Sequence, residues 1–260
     1  MITHGVVTAD GVVHVEGDTT RRLPWASVTK PCTAIAVLVA VEDGSLGLDD
    51  PAGPPGSTVR HLLAHASGYD FDTDAVLAPP GTRRIYSNTG YDALADLVAR
   101  TTGIDFSTYL TEAVLDPLGL QATTFDGNAG SGLAGPLDDL LRVAAELLRP
   151  RLLAPETARG LRTVTFPGLR GVLPGFGSHD DNAWALGPEV RGTKSPHWTG
   201  TDNSPATFGH FGASGSFVWV DPAVDAACAS LSDQPFGPWA VEAWPALSDS
   251  VLAALARDRR

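Results

Sequence analysis

The sequence predicts an α+β fold in which strands from both ends of the chain form one antiparallel sheet flanked by helices. Three observations predict this arrangement. β-like segments occur near the amino terminus and again beyond residue 160, the region between them carries helical patterns, and the chain ends in an amphipathic helix. We therefore expect residues 1–50 and 160–260 to form a sheet domain, with residues 51–159 as an inserted, mainly helical region.

The first elements follow from turn and helix signals. The segment Val6 to Val15 alternates around Asp10-Gly11, which is the pattern of a tight hairpin. Ala26 to Glu42 forms an apolar helix that ends at a glycine in the C-cap position. Pro31 fits this helix only if it begins near Ser27, because amides of the first turn lack intrahelical partners. Ser27 therefore lies at the positive end of the helix.

The rest of the chain divides into a helical block and a series of short β-like runs. Apolar residues at helical spacing mark the helices, and glycine-containing turns separate the strands. In chain order the sequence predicts a linker at Asp50–Ser57, helices at Thr58–Ala66, Thr89–Thr102, Asp105–Leu115 and Pro136–Leu148, a flexible loop at Asn128–Gly135, strands at Asn182–Val190, Gly209–Val220 and Ala226–Ser232, and a final helix at Trp239–Arg260.

Composition excludes several classes of partner. The formal net charge of −12 would repel a phosphate backbone, so neither nucleic acid nor an anionic membrane surface is expected. No apolar tract approaches the length of a membrane span, and the amino terminus lacks a signal peptide pattern. We therefore expect a cytoplasmic protein with Cys32 and Cys228 reduced, although a disulfide between them is left open. The oligomeric state is undetermined.

A serine and a lysine stand three residues apart at the head of the first long helix, in the stretch S-V-T-K. The chain has only two lysines, Lys30 and Lys194, among 18 basic residues, so a lysine here indicates a task that arginine cannot perform, namely releasing a proton. Positions three apart share a helix face, and burial makes the neutral amine accessible. Lys30 is thus a candidate base for Ser27. The alternative is an ordinary surface lysine at a helix start.

A second candidate element is R-I-Y-S-N, which precedes a predicted helix. Tyr86 beside a cationic lysine would have a lowered pKa and would serve as a general base. Asn88 could donate its amide to a substrate carbonyl. The alternative is a plain turn in which Ser87 or Asn88 caps the helix.

The third candidate element is F-G-H-F-G-A-S-G-S, which resembles an edge strand entered through glycines. The amides of Ser27 and Ala213 could together bind a developing oxyanion, and His210 would add a hydrogen bond or charge beside it. The alternative is a glycine-rich β-turn without a catalytic role.

Other titratable residues are assigned structural roles. His61 and His65 have metal-ligand spacing on a helix, but no third ligand is evident, so structural hydrogen bonding is expected. Lys194 lacks apolar neighbours in the sequence and is expected to be a solvated loop charge. Neither a metal nor a cofactor is predicted.

In this order, S-V-T-K, Y-S-N and H-F-G resemble the three motifs of the serine β-lactamase and penicillin-binding-protein superfamily. The match is best for the class C β-lactamase-like branch, which includes esterases and D-amino peptidases. The segments L-L-A-H-A-S-G and P-P-G-T-R-R-I-Y-S-N also match that branch. The resemblance implies a β-lactamase/transpeptidase-like fold.

The resemblance also implies a role for each matched residue. Ser27 would be the acyl-accepting nucleophile, Lys30 its proton partner and Tyr86 the general base. The oxyanion hole would consist of the Ser27 and Ala213 amides, and the residues that contact substrate would be Asn88, His210 and Gly212. Many β-lactamases carry lysine at the position of His210, where it holds a substrate carboxylate. Because histidine is mostly neutral at pH 7, we expect poor recognition of a penicillin-type carboxylate.

Together these features predict a serine hydrolase that forms an acyl-enzyme on Ser27. Its expected substrates are small carboxylic esters, with weak β-lactam hydrolysis as a side reaction. A true β-lactamase or a D-amino-acid peptidase acting on an amide is the alternative enzyme. A non-catalytic binding module that retains the scaffold is the competing prediction.

Overall fold

The computed structural model describes residues 2–258. It contains one six-stranded antiparallel sheet, in the order β2-β1-β11-β10-β9-β8, and two small sheets, β3-β5-β4 and β6-β7. The strands are β1 Ile2–Thr8, β2 Gly11–Glu16, β3 Leu23–Pro24, β4 Thr124–Phe125, β5 Leu133–Gly135, β6 Gly171–Leu173, β7 Gly177–His179, β8 Glu189–Val190, β9 Phe208–Gly212, β10 Ser216–Asp221 and β11 Ala226–Ser232.

The helices lie between and after these strands. A 3-10 turn at Ala26–Val28 leads directly into α1 Thr29–Glu42, and a π-helical turn at Thr111–Leu115 joins α4 to α5. The remaining α-helices are α2 Val59–Leu63, α3 Asn88–Thr102, α4 Phe106–Leu110, α5 Asp116–Leu118, α6 Leu137–Leu148, α7 Pro155–Ala158 and α8 Pro238–Asp258, and a further 3-10 turn spans Arg159–Leu161.

The main sheet joins the two ends of the chain, which confirms the predicted α+β fold. In β1, Val6 pairs with Cys228 of β11, and on its other side β1 pairs with the hairpin strand β2. Alternation along the strands gives the sheet two apolar faces. One face packs against α1 and α6, and the other is covered by α8. The division into a sheet domain and an insertion at residues 51–159 stays a prediction.

Several predicted boundaries differ from the structure. The predicted strand at 209–220 is a hairpin of two strands, because Gly215 adopts a positive φ of 87° and turns the chain back on itself. Only Glu189–Val190 of the predicted strand at 182–190 is extended. The predicted end of the last helix at residues 259–260 lies outside the described residues.

The structure also tests the predicted state of the two cysteines and the prediction that no segment spans a membrane. Cys32 and Cys228 are both free and buried, so they do not pair with each other. Among residues 2–258, no helix combines the length and apolar character that a membrane span requires.

Candidate active site

Ser27 lies in the tight turn that precedes α1, and the turn is held by its neighbours. The Trp25 carbonyl accepts hydrogen bonds from the Val28 amide at 3.1 Å and from Ser216 Oγ at 2.7 Å. Ala26, directly before the serine, adopts a φ of 46°, in the left-handed region that L-residues rarely occupy. Backbone strain of this kind persists only where surrounding contacts impose it. The Ser27 hydroxyl is thus presented on a constrained turn.

Lys30 is fully buried, and its ammonium group contacts three oxygen atoms. Nζ lies 3.5 Å from Ser27 Oγ, 2.6 Å from Asn88 Oδ1 and 3.0 Å from the Gly130 carbonyl. Burial lowers the pKa of Lys30 to about 7, although the negative charges of Asp92 and Asp72 act in the opposite direction. A substantial fraction of Lys30 is therefore neutral at physiological pH and able to accept a proton.

The loop that carries Tyr86 is anchored by a buried arginine. The Arg84 guanidinium donates hydrogen bonds to four backbone carbonyls. These belong to Ala64, Asn182 (3.0 Å), Thr165 (2.8 Å) and Phe166 (2.9 Å). Burial lowers the pKa of this guanidinium to about 10, so it stays charged at neutral pH. The planar group, with five donors, can satisfy several carbonyls at once and fix the loop.

Tyr86 lies beside Lys30, and its catalytic role stays a prediction. Its ring centre lies 4.6 Å from Lys30 Nζ, and its side chain lines the same cavity as Ser27. Burial raises the pKa of Tyr86, and the neighbouring Ser27 side chain offsets this only in part. The expectation of a lowered pKa was wrong, because removal from water opposes the phenolate and the negative charge of Asp72 adds to that effect. At neutral pH Tyr86 is a neutral phenol.

Both the oxygen and the nitrogen of the Asn88 side-chain amide form hydrogen bonds with other protein side chains. Its Oδ1 accepts from Lys30, and its Nδ2 donates to Asp72 Oδ1 at 2.7 Å. Ser87 is the N-cap of α3 and accepts from the Gly90 amide at 3.1 Å. The segment Tyr86–Asn88 therefore contains both a helix cap, Ser87, and candidate site residues, so the two interpretations of this segment are compatible. A direct contact of Asn88 with substrate stays a prediction.

His210 lies on β9 and faces Tyr86. Its Nδ1 is 2.7 Å from the Phe211 carbonyl, which can only accept, so Nδ1 carries the hydrogen. Nε2 is then the acceptor for the Tyr86 hydroxyl at 3.4 Å. Burial, together with the charge of Lys30, lowers the pKa of His210 to about 3. The imidazole is consequently neutral and provides no positive charge to a substrate.

Gly212 lies where β9 passes closest to the serine turn. A Cβ at this position would be 2.4 Å from the Trp25 carbonyl oxygen and 3.1 Å from Ala26 Cβ, so no larger residue fits. Ala213 follows it, and both Ala213 and Ser27 line the same cavity. A role for their two amides as an oxyanion hole stays a prediction.

That cavity is walled mainly by apolar side chains. Its lining includes Ser27, Tyr86 and His210, and Glu189 is the charged residue in the described lining. The apolar residues that form the wall are Phe71, Leu173, Pro174, Trp184, Phe211, Ala213 and Phe236. The arrangement can admit an uncharged group next to the Ser27 hydroxyl.

A buried ion pair beside the cavity was missed at the sequence level. Lys194 is buried rather than solvated, and its Nζ lies 3.0 Å from Glu189 Oε1. The His197 Nε2–H also donates to Glu189 at 3.0 Å, because the Thr199 amide already occupies its Nδ1. Burial alone would raise the pKa of Glu189, but Lys194 and His197 hold it well below its usual range. The scarcity of lysine in this sequence was the signal that could have revealed the pair.

Two further sets of residues support the site. Gly130, in the loop predicted to be flexible, offers its carbonyl to Lys30, and a Cβ on it would lie in tight contact with Asn88 Oδ1 and Lys30 Nζ. His65 accepts from the Ser87 amide at 3.1 Å, and His61 contacts Thr58 Oγ1 at 2.8 Å. These histidines therefore make structural hydrogen bonds, as expected.

Comparisons with known proteins agree with the motif resemblance. A model of the Beta-lactamase family matches residues 4–252. The solved structure of a β-lactamase from Mycobacterium bovis is 52% identical, with a TM-score of 0.96, and the match covers 98% of this chain and 94% of that one.

Curated relatives match shorter segments. Penicillin-binding protein 4* of Bacillus subtilis (strain 168) is 28% identical over 131 residues, which is 38% of this chain and 29% of the relative. Esterase EstB of Burkholderia gladioli is 31% identical over 169 residues, which is 47% of this chain and 42% of the relative. The matches thus span less than half the length of these curated relatives. Because the family match extends over nearly the whole chain, and the M. bovis structure shares its fold throughout, the chain belongs to the β-lactamase family of serine hydrolases.

Proposed function

We propose that this chain hydrolyses small, uncharged carboxylic esters through an acyl-enzyme on Ser27. The observation that carries the proposal is the convergence of three side chains beside an apolar cavity. Ser27 Oγ lies 3.5 Å from Lys30 Nζ, and the Tyr86 ring, which lines the same cavity as Ser27, has its centre 4.6 Å from that amine. The neutral amine can take the proton of the serine hydroxyl, and the neutral phenol can give a proton to a neighbouring oxygen.

In the acylation step, Ser27 Oγ attacks the ester carbonyl carbon while its proton moves to the neutral amine of Lys30. The developing oxyanion is bound by the amides of Ser27 and Ala213. When the intermediate collapses, the bond to the alcohol breaks and the Tyr86 phenol gives its proton to the leaving oxygen. The Lys30 ammonium, 4.6 Å from the tyrosine ring centre, then returns a proton to the phenolate. Water hydrolyses the acyl-enzyme by the same groups in reverse order.

The charges around the cavity favour uncharged substrates. His210 is neutral, with a pKa of about 3, and Glu189 brings a carboxylate into the lining. The described lining contains neither lysine nor arginine. A substrate carboxylate would thus lose its hydration without gaining a cation in the cavity. An ester with an apolar acyl or alcohol group instead buries that group against Trp184 and Phe211.

The proposal is tested with p-nitrophenyl butyrate and a fluorophosphonate probe. We expect hydrolysis and covalent labelling of the wild-type chain, and the loss of both in Ser27→Ala. Lys30→Arg should retain the fold and lose hydrolysis, because an arginine does not release its proton at neutral pH. A chain that is folded but neither labels nor hydrolyses would instead be a non-catalytic binding module.

A second candidate function is β-lactam hydrolysis, which the 52% identity to the M. bovis β-lactamase favours. The two functions differ in the ratio of kcat/KM for a neutral ester to that for the cephalosporin nitrocefin, whose carboxylate must enter the site. We expect the ester to be preferred. A stable acyl-enzyme with penicillin, detected by mass spectrometry, would indicate a penicillin-binding protein that deacylates slowly.

A further inference from the structure

A second cluster of chemically active side chains lies on the amino-terminal hairpin, away from the residues of the proposed hydrolase. His4 of β1 pairs in register with Glu16 of β2, and His14 lies two residues before Glu16 on the same strand. Because side chains alternate along a strand, cross-strand partners and residues two apart lie on one sheet face. The ligand atoms of all three residues lie within 4.8 Å of one another.

We propose that His4, His14 and Glu16 form a binding site for one Zn²⁺ or a similar divalent transition-metal ion. Two imidazoles and one carboxylate form a donor set that suits zinc, whereas Mg²⁺ and Ca²⁺ prefer oxygen ligands alone. This site is independent of the proposed hydrolase and uses none of its residues.

The separation of the atoms fits ligands of a shared ion better than partners of a direct hydrogen bond. His4 Nε2 lies 3.9 Å from Glu16 Oε2, beyond hydrogen-bonding distance. Bonds of about 2.1 Å to one ion separate tetrahedral ligands by about 3.4 Å, so small side-chain rotations are enough to close the site.

Burial gives the cluster one fixed ligand and two adjustable ones. The His4 side chain is 8% exposed, whereas that of Glu16 is 72% exposed. The edge residues His14 and Glu16 are exposed and can rotate toward an ion held by His4.

The surroundings leave room for a fourth ligand. The three side chains line a cleft between the hairpin and α8, together with Ser250 and Arg257. Three protein ligands with one position open to the cleft match the coordination of zinc sites that retain a water. An ion in this place would connect β2, the edge strand of the main sheet, to β1, and would stabilise the folded chain because the unfolded chain lacks the assembled site.

The test uses the untagged full chain stripped of metal with EDTA. Isothermal titration with ZnCl₂ should give one ion per chain, MgCl₂ should give no saturable binding, and Zn²⁺ should raise the melting temperature. His14→Gln and Glu16→Gln change exposed residues, and each should weaken Zn²⁺ binding and reduce the thermal shift. His61→Gln is the matched control, which removes a histidine elsewhere and should bind like wild type.

Each variant is compared with itself with and without Zn²⁺, so an effect of the substitution on folding cancels. The proposal is overturned if the wild-type chain takes up no Zn²⁺ at micromolar concentrations. It is also overturned if His14→Gln and Glu16→Gln bind Zn²⁺ as wild type does, or if His61→Gln weakens binding as much as they do.

Discussion

Lys30 Nζ lies closer to Asn88 Oδ1, at 2.6 Å, than to Ser27 Oγ, at 3.5 Å. The amine is thus oriented by the asparagine, whose own amide group is held by Asp72. Asp72 is therefore linked to the Lys30 amine by two successive hydrogen bonds through Asn88, in addition to its direct electrostatic effect on the amine. We infer that Asn88 positions Lys30 for the proton transfer, which is a different role from the substrate contact that the motif implies.

The pH dependence of ester hydrolysis should follow the ionisation of Lys30. Its pKa is lowered to about 7, and acylation requires the neutral amine. The sign follows directly: below pH 7 the protonated amine cannot accept the Ser27 proton, so kcat/KM should be low, rise through about pH 7 and reach a plateau. A profile of kcat/KM with p-nitrophenyl butyrate, corrected for spontaneous hydrolysis, measures this limb. A flat profile between pH 5 and pH 8 would contradict the role of Lys30.

Asp92→Asn should move that limb to lower pH. Among the charges that act on Lys30, Asp92 raises its pKa most, so removing that charge should lower the pKa of Lys30 further. The asparagine side-chain oxygen can still accept the hydrogen bond that the Ala129 amide donates to Asp92 in the wild-type chain. Asp96→Asn changes the same charge one turn further along α3 and is the matched control. Equal displacement of the limb in both variants would mean that net charge, rather than Asp92, sets the pKa.

Gly130→Ala should impair catalysis more than stability. The added Cβ would lie 3.0 Å from Asn88 Oδ1 and 3.1 Å from Lys30 Nζ, so both groups would have to move. We expect kcat to fall by about tenfold or more, since small displacements of reacting groups carry large costs. Ser131→Ala, at the neighbouring half-buried position, is the control and should have a wild-type kcat. A wild-type kcat in Gly130→Ala would exclude Gly130 from the support of Lys30.

Lys194→Met should destabilise the fold strongly. The substitution removes the cation that lies 3.0 Å from the buried Glu189 carboxylate, and breaking such a pair costs about 3–5 kcal/mol of unfolding free energy. Glu189→Gln combined with Lys194→Met removes both charges and should recover part of that loss. Arg60→Met breaks the exposed pair with Asp49 and should cost about 1 kcal/mol or less. Urea unfolding of the four proteins measures these differences, and equal losses in both single variants would contradict the buried pair.

The sequence was informative where chemistry restricts residue type within a short segment. The spacing of Ser27 and Lys30 follows from helix geometry, and the hairpin follows from Asp10-Gly11, so both could be predicted locally. The environment of Tyr86 could not, because its pKa depends on burial by distant segments such as Trp184 and His210. Lys194 was misjudged because no local pattern indicates its burial or its contacts with the Ala183 and Val190 carbonyls and the Glu189 carboxylate.

The substrate preference can be tested by restoring the cation that His210 replaces. In His210→Lys a positive charge would face the cavity, so kcat/KM for a carboxylate-bearing ester should rise relative to its methyl ester by about tenfold, the scale of one charge-assisted hydrogen bond. His210→Met has similar length without the charge and should leave that ratio at the wild-type value. Both variants remove the acceptor for Tyr86, so the comparison between them isolates the charge. An unchanged ratio in His210→Lys would show that residue 210 does not determine the charge preference. Glu189, whose carboxylate also lines the cavity, would then be the residue to test for that role.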